Sequence, residues 1–434
     1  MKITLVKSNM HKSKSKDAMQ PLFAAVLSAL TPDDIEVCLY DDRIEDIPFD
    51  EPTDLAAISI ETFCAQRSYQ IALEYKKRGV KVIAGGFHPS LLPDETLQYV
   101  NSVLIGDAEN IWQDVIKDLR KGKLKPIYNS NNETKDVDIK FDRTIFNNKA
   151  YGPVELVQWG RGCPHNCDFC SIKAFYKSKQ YCRPINQVMD EIAVLKKKVV
   201  FFVDDNLYAN KARFKQFLME LAGMNIKWAC QISINIAQDD ELLRLMRDSG
   251  CFLALVGIES FHSGNLKLMN KEWNTSNLNY DEAIKKIKSY GIMIYGTFVF
   301  GYDFDTADSF KYAVDFAIKH KFFIANFNPL YPMPGTPLYH RLENEKRLLF
   351  DRWWLNRDFY YGKSMFQPKG LSADDLEAYC FQAKREFNSW NSILHRCLDP
   401  IITHKSFQKT MLYFYSNMLN RKEICKKQGK GLGL

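Results

Sequence analysis

The chain has 434 residues, of which 46% are hydrophobic and 26% charged, which excludes disordered, collagen-like and low-complexity classes. At roughly 150 residues per domain, this length predicts two or three domains. The 59 basic and 52 acidic residues leave a formal charge of +7, too mild to indicate a nucleic-acid partner. The 11 cysteines are sparse and odd in number, which favours a reducing, cytoplasmic environment.

The N-terminus carries a single short apolar run, residues 3–6, before it becomes polar and basic. That run is shorter than a signal-peptide core. No later run approaches the roughly 20 apolar residues that a membrane span needs. We therefore expect a chain without a targeting segment or a membrane span.

Short apolar runs alternate with helical stretches in the first part of the chain. Residues 22–30 and 66–78 carry apolar side chains at helical spacing, whereas the other apolar runs have the length of strands. Such alternation predicts a doubly wound parallel sheet with helices on both faces. The predicted strands are residues 3–6, 35–39, 55–60, 80–84 and 103–105.

Polar residues and glycines follow several of these strands. In an open parallel sheet the carboxyl ends of the strands form the ligand-binding edge. The two glycines of AGGFH, residues 84–88, would let a backbone approach a ligand closely, although tight turns alone explain them equally well. A binding site at this edge and plain turn chemistry therefore both stay open on periodicity alone.

A second α/β series follows a polar, Asn-rich stretch. We predict a first domain over residues 1–125, a linker over 126–152, a barrel over 153–345 and a mostly helical C-terminal cap over 346–434. Six strand candidates separated by helix-like segments predict a partial (β/α)6 barrel. The basic tail is expected to be a solvated terminus. The six strand candidates are residues 154–158, 199–203, 228–234, 252–258, 293–300 and 323–328.

Three of the cysteines lie in one loop after the first strand of this second series. The loop reads RGCPHNCDFC, and Cys163, Cys167 and Cys170 are spaced C-x3-C-x2-C. Thiolates on a compact loop hold iron–sulfur clusters, and three of them leave one iron of a four-iron cluster open. A zinc site completed by His165 and a set of unrelated cysteines are the weaker alternatives.

This loop, with its Asp-Phe-Cys ending, resembles that of radical S-adenosylmethionine (radical SAM) enzymes. The resemblance implies a [4Fe–4S] cluster on the three cysteines, SAM on the open iron, and cleavage of SAM to a 5′-deoxyadenosyl radical. Further motifs in the correct order extend the likeness through the barrel, ending at NPLYPMPGTPLY, residues 328–339. The residues that the resemblance places near SAM are Phe169, Asp204, Asp205, Gln231, Ser233, Glu259 and Gly301.

The first domain resembles the flavodoxin-like (Rossmann-like) cobalamin-binding domain that precedes the barrel in one radical SAM class. Three stretches carry that likeness: DLAAISIET (54–62), AGGFHPSLLPDE (84–95) and SVLIGDAENIW (102–112). By the resemblance, these strand ends surround the corrin. The residues concerned are Ser59, Glu61, Thr62, Gly85, Gly86, His88, Gly106 and Glu109.

One departure concerns the histidine that coordinates cobalt in many cobalamin domains. That motif reads Asp-x-His-x-x-Gly, whereas this chain has NMHKSK at residues 9–14, with His11 but neither the acid nor the glycine. A ligating histidine is normally oriented by a carboxylate or carbonyl on its other nitrogen. We therefore do not expect His11 to bind cobalt.

The resemblance implies a cobalamin-dependent radical SAM C-methyltransferase. It is similar to the branch of hopanoid and bacteriochlorophyll methylases and of the anaerobic porphyrin-ring cyclase, which favours a small, apolar or tetrapyrrole-like substrate. An electron donor such as flavodoxin or ferredoxin is expected. The aromatic segment 352–366 would cap the barrel or contact the substrate, although ordinary core packing is the better explanation.

Three other functions remain as alternatives. An enzyme with both domains would instead perform an oxidative cyclisation, a rearrangement or a carbon–carbon coupling without net methyl transfer. RNA modification is less favoured, because Cys38 and Cys64 are isolated and the charge is mild. A purely structural iron–sulfur or zinc module is weaker still, because it explains neither the barrel nor the SAM motifs.

Overall fold

Two parallel β-sheets follow one another along the chain. The computed structural model describes residues 1–15, 17–130, 139–274, 278–403 and 407–433, so residues 131–138 of the predicted linker lie outside the described residues. Within the described ranges, no helix combines the length and apolar composition that crossing a membrane requires.

The first sheet has six strands, all paired in parallel. Its strands and helices are β1 (Lys2–Lys7), α1 (Leu22–Leu30), β2 (Glu36–Asp41), β3 (Leu55–Ser59), α2 (Ala65–Lys77), β4 (Lys81–Gly85), α3 (Phe87–Leu91), α4 (Pro93–Leu97), β5 (Ser102–Ile105), α5 (Trp112–Arg120) and β6 (Ile127–Asn129). The spatial order β2-β1-β3-β4-β5-β6 is doubly wound, as the alternating apolar runs predicted.

The strand order reverses beside β1, so the carboxyl ends of β1 and β3 form the switch point where ligands bind in such sheets. Lys7 and Ser59 are register partners at that edge. Strand β6 was not predicted: it has three residues, lies in the stretch assigned to the linker, and pairs with β5.

The second sheet also has six parallel strands, which neighbour one another in the order in which they occur along the chain. Two short strands lie between its first and second strands in the sequence but are not part of this sheet. The open, curved arrangement is the partial (β/α)6 barrel that the sequence predicted. Its elements are β7 (Glu155–Val157), β8 (Gly160–Gly162), α6 (Ser171–Tyr176), β9 (Gln180–Cys182), α7 (Ile185–Ala193), β10 (Val199–Phe202), α8 (Lys211–Leu221), β11 (Lys227–Ile232), α9 (Asp240–Asp248), β12 (Cys251–Glu259), α10 (Ser263–Leu268), α11 (Tyr280–Ser289), β13 (Met293–Phe300), α12 (Ala307–Lys319) and β14 (Ile324–Pro329).

The intervening strands β8 and β9 form a separate antiparallel ribbon beside the barrel, which the sequence did not predict. The ribbon leads directly into the cysteine-bearing loop. It therefore determines where that loop leaves the barrel.

Helices cover the barrel after its last strand. They are α13 (Pro337–Asn344), α14 (Ala373–Phe387), α15 (Trp390–Cys397), α16 (Pro400–Thr403) and α17 (Phe407–Lys427). In the aromatic segment, Trp353, Trp354 and Phe359 are buried and pack in one apolar cluster with residues of the first sheet. Core packing therefore accounts for these three side chains, and they join the C-terminal region to the first domain.

The expectation of a solvated C-terminal tail is wrong. Leu432 is buried in the same cluster, and the backbone N–H of Gly433 donates to the carbonyl of Met10 at 2.8 Å. The N–H of Tyr361 donates to the carbonyl of Lys430, also at 2.8 Å. The tail is thus attached to the first domain and to the aromatic segment 352–366.

Candidate cofactor and active site

The three clustered cysteines lie on the loop between β8 and α6. Their thiols are free and partly exposed, whereas Cys182, Cys230 and the other barrel cysteine Cys251 are buried. A short loop that presents three accessible thiols has the donor set that an iron–sulfur cluster requires.

Buried Asp168 anchors this loop at its middle. Its carboxylate accepts a hydrogen bond from the Tyr302 hydroxyl at 2.5 Å and pairs with Arg341 at 2.9 Å. Its own N–H donates to the carbonyl of Met269 at 3.1 Å. The loop is thereby held against segments that follow β13 and β14 and the helix α10.

His165 lies within the loop, and the face of its ring packs against a neighbouring side chain. Its ring stacks on the indole of Trp273, with centroids 3.4 Å apart and planes 4° from parallel. Burial, with a further effect of Lys271, lowers the pKa of His165 to about 4. This stacking disfavours the zinc alternative, since a ligating imidazole needs its ring edge directed at the metal.

The two aspartates after β10 support the ribbon that carries the loop. The Asp204 carboxylate accepts the N–H groups of Trp159, at 3.0 Å, and of Gly160. Asp205 accepts the N–H of Gly162 at 2.7 Å. Burial raises the pKa of Asp204 to about 7 and that of Asp205 to about 6.

The structure shows a supporting role for Asp204, and its predicted contact with SAM stays a prediction. Its side chain is buried and committed to two backbone donors, so it positions the ribbon. Asp205 stays partly exposed beside the residue that precedes the first cysteine. The sequence placed both residues at the correct strand end but did not distinguish their directions.

Two further predicted SAM contacts lie at the carboxyl end of β11. Gln231 is partly exposed and its amide donates to the carbonyl of Asp204 at 3.4 Å. Ser233 is buried and its hydroxyl accepts from Asn206 at 2.7 Å. The ends of β10 and β11 thus converge on the edge of the barrel that carries the cysteine loop.

Glu259 ends β12 in a backbone conformation that residues with side chains seldom adopt, with a φ of +64°. Its carboxylate accepts from the Lys271 ammonium at 2.7 Å, and Lys271 also donates to the carbonyl of Gly257 at 3.1 Å. Left-handed residues of this kind cost on the order of 1–3 kcal/mol and cluster at functional sites. The ion pair with Lys271 holds the Glu259 carboxylate at the end of β12, and its predicted contact with SAM stays a prediction.

Phe169 and Gly301, which are both predicted to lie near SAM, have different surroundings. Phe169 packs, partly buried, against the barrel core. At Gly301, an added Cβ would lie 2.8 Å from Phe366 and 3.0 Å from Leu376, so the glycine makes room for the C-terminal region. Its predicted place in the SAM site stays a prediction.

A cavity of about 510 Å³ lies between the two sheets. The carboxyl ends of the first sheet form one wall, and Gln158, Phe175, Tyr176 and Val203 of the barrel region form part of the other. Its deeper part is apolar and runs beside α1. Of the predicted cobalamin contacts, Ser59, Glu61, Gly85, Gly86, Gly106 and Glu109 line it.

His88 and Thr62 are not among the residues that line this cavity, and their predicted place around the corrin stays a prediction. His88 is fully buried, its Nε2 lying 2.9 Å from the Tyr69 hydroxyl and 3.2 Å from the Glu95 carboxylate. Thr62 faces its other ring nitrogen at 3.4 Å. Trp354 donates to Glu95 at 2.9 Å, so this network attaches the C-terminal region to the first domain.

His11 also lies outside the cavity lining. It is buried near the C-terminal tail, and the Ser13 hydroxyl lies 2.8 Å from its Nδ1. Burial, with nearby lysines, lowers its pKa. The expectation that it does not serve as a cobalt ligand is consistent with this position.

Two ion pairs stand in the cavity wall, and the sequence did not indicate either of them. Lys7 pairs with Glu61, and its ammonium holds the pKa of that carboxyl below the usual range. Arg161 pairs with Glu109 at 2.6 Å and lies 3.4 Å from Asp107. Since Arg161 lies two residues before the first cysteine, it joins the cysteine loop to the cavity wall.

A family model described as the radical SAM superfamily matches residues 157–317. The chain is 32% identical to the bacteriochlorophyllide d C-12(1)-methyltransferase of Chlorobaculum tepidum, over 87% of this chain and 84% of that protein. It is 27% identical to the hopanoid C-2 methylase of Rhodopseudomonas palustris, over 77% of this chain and 66% of that protein.

A solved structure shares the whole fold. It is the radical SAM methyltransferase TsrM from Kitasatospora setae, with cobalamin and a [4Fe–4S] cluster bound. The TM-score is 0.66 at 16% identity, and the match covers 98% of each chain. At this identity the likeness is one of architecture: a doubly wound sheet, a partial barrel and a helical C-terminal region.

Proposed function

The chain belongs to the radical SAM superfamily, and we propose that it is a cobalamin-dependent C-methyltransferase acting on a small, apolar or tetrapyrrole-like metabolite. The observation that carries the proposal is the cavity between the two sheets. It borders the strand ends of the first domain and, through Arg161, the base of the cysteine loop. Two cofactors held on either side of this space would face one another across a substrate.

The cysteine loop is the proposed cluster site. Cys163, Cys167 and Cys170 would hold a [4Fe–4S] cluster and leave one iron for SAM. Asp205, Gln231, Ser233, Glu259 and Phe169 would contact SAM, with Asp204 holding the ribbon behind them. When bound, the cluster supplies the electron that cleaves SAM to a 5′-deoxyadenosyl radical, and the corrin supplies the transferred methyl group. A flavodoxin- or ferredoxin-like reductase would donate that electron.

The inter-sheet cavity is the proposed cobalamin site. Its volume of about 510 Å³ lies within the usual range for ligand pockets, and its lining combines apolar residues of α1 with polar and charged strand ends. Gly85, Gly86 and Gly106 leave the rim without side chains, which permits close approach of a large planar ring. The Lys7–Glu61 and Arg161–Glu109 pairs offer charged groups to the polar edge of that ring.

In this scheme the chain's own residues position the two cofactors and the substrate, and they exclude water. Helix α6 begins directly after Cys170 and places Phe175 and Tyr176 in the cavity wall. One short helix thus separates the two proposed cofactor sites. Hydrogen abstraction by a radical needs no general base, so fixed geometry and a dry cavity are the contributions expected of these residues.

The substrate class rests on the relatives together with the cavity. One relative is named for bacteriochlorophyllide d, a tetrapyrrole, and another for a hopanoid, an apolar polycyclic molecule. An apolar wall flanked by paired charges suits a substrate with an apolar body and few polar groups. We propose that this chain methylates a metabolite of that kind.

Anaerobic turnover with bacteriochlorophyllide d, SAM and a reductant tests the proposal by mass spectrometry. We expect the product to gain one methylene unit, and the gain to disappear when cobalamin is omitted from reconstitution. Consumption of the substrate without that gain would instead support a cyclisation or rearrangement.

A change at Gly257 tests the SAM role of Glu259. A Cβ at Gly257 would lie 2.3 Å from the Glu259 carboxylate and 2.9 Å from the Lys271 ammonium, so Gly257→Ala must displace this pair. We expect the KM for SAM in reductive cleavage to rise about tenfold with the iron content unchanged. At Gly223 an added Cβ meets nothing within 4 Å, so Gly223→Ala is the matched control. An unchanged KM in Gly257→Ala would remove Glu259 from the SAM site.

A further inference from the structure

Exposed apolar side chains are concentrated in the C-terminal helices. Of the 17 large hydrophobic residues exposed among the described ones, eight lie within residues 390–418. We call these eight the C-terminal apolar face. They are Trp390, Leu394, Leu398, Phe407, Met411, Leu412, Tyr415 and Met418.

The face is continuous along helix α17. Phe407, Met411, Tyr415 and Met418 recur at intervals of three or four residues and so lie on one side of the helix. On the opposite side, Tyr413 is buried, and its hydroxyl donates to the carbonyl of Ile393 at 2.7 Å. One side of the helix is thus docked on the protein, and the other presents its apolar residues outward.

Basic residues continue the same stripe. Lys422 and Lys426 follow Met418 at intervals of four residues, and Lys422 is exposed. Residues 390–434 contain eight Lys or Arg and two Asp or Glu, so this stretch has a formal charge of +6. The rest of the chain carries the remaining +1 of the total of +7. Nearly all of the excess formal charge therefore lies in this C-terminal stretch, although Arg396 is buried and does not reach the face.

We propose that the C-terminal apolar face binds the surface of an anionic membrane. A helix with aromatic and Met residues on one side, bordered by lysines, lies in the interface with its apolar side among the acyl chains. Anionic headgroups attract the adjacent lysines. A second copy of this chain is a poorer occupant, because its own face would bring a like charge into contact with this one.

The placement of the helix agrees with this occupant. Chain beyond α17 docks at Tyr361 of the C-terminal region and at Met10 of the first domain. Contact with a membrane along α17 would therefore hold the whole molecule at the surface. The proposal does not rest on methyl transfer, although an apolar substrate dissolved in the membrane would be reached there.

Vesicle flotation of the full-length chain, reconstituted anaerobically, tests the proposal. We expect binding to vesicles of phosphatidylcholine mixed with phosphatidylglycerol and weaker binding to phosphatidylcholine alone. In the triple variant Met411→Ser, Tyr415→Ser and Met418→Ser, partition should fall by about 100-fold. Reversal of charge in Lys422→Glu with Lys426→Glu should reduce it about tenfold.

Three exposed apolar residues elsewhere supply the matched control. Leu73→Ser, Val194→Ser and Met219→Ser together remove comparable apolar surface and should leave partition unchanged. Reductive cleavage of SAM by each variant shows that it is folded. Wild-type chain that does not float with either vesicle would overturn the proposal. Sedimentation gives a second outcome that would overturn it. If the wild-type chain dimerises with rising concentration and the triple variant at Met411, Tyr415 and Met418 does not, the face is an interface between two copies of the chain.

Discussion

Replacement of Cys163 by alanine is expected to abolish cluster assembly and the reductive cleavage of SAM. Three thiolates hold three irons of a four-iron cluster and leave the fourth open for SAM, so loss of one thiolate leaves a second iron without a ligand. The loop is held in place by Asp168, which limits how far it can shift to supply another ligand. Loss of an outer partner of a metal ligand costs about 10–100-fold in affinity, so removal of a ligand should cost more than that. Iron analysis and the release of 5′-deoxyadenosine measure the effect.

Cys397→Ala is the control for this change. Cys397 is also a free, partly exposed thiol, but it lies in α15, distant in sequence from the loop. The control should retain full iron content and SAM cleavage. Normal iron content in the Cys163→Ala chain would mean that the loop is not the cluster site.

Replacement of Ser59 by phenylalanine is expected to weaken cobalamin binding without affecting the iron–sulfur cluster. Ser59 ends β3 and lines the inter-sheet cavity, so a phenyl ring there occupies space proposed for the corrin. Overpacking costs about 1–3 kcal/mol, and we expect cobalamin affinity to fall by about 100-fold. Because the cysteine loop belongs to the other sheet, iron content and SAM cleavage should persist while methyl transfer is lost.

Lys81→Phe places the same ring at the opposite end of the first sheet. Lys81 is exposed at the start of β4, and the substitution should leave corrin binding unchanged. Titration of each chain with cobalamin, followed by absorbance, gives the two affinities. Equal affinities in Ser59→Phe and wild type would place the corrin outside the cavity.

The strands of both sheets were predictable because they are buried on both faces and read as continuous apolar runs. The predicted run 293–300 is the observed β13, and the run 55–60 differs from β3 by one residue. Strands β6 and β8 were missed, since each has three residues and is defined by its pairing partner. Leu432 was missed for the same reason: burial of one apolar residue in a polar tail depends on the surface it meets.

The candidate site was predictable where its residues are contiguous. The cysteine loop and the strand ends of the first sheet could be read directly, and most of those strand-end residues line one cavity. The directions of side chains were not predictable, so the protein partners of His88, Thr62, Asp204 and Gly301 are known only from the structure. The partnership of Arg161 with Glu109 joins residues 52 positions apart and leaves no local signal.

The most direct test is the cofactor content of the wild-type chain after anaerobic reconstitution with iron, sulfide and cobalamin. We expect about four irons and about one corrin per chain in the same molecules, by metal analysis and absorbance spectra. Such protein should also cleave SAM when reduced. Iron without any corrin, in a chain that still cleaves SAM, would contradict the assignment of the inter-sheet cavity to cobalamin and with it the methyltransferase proposal.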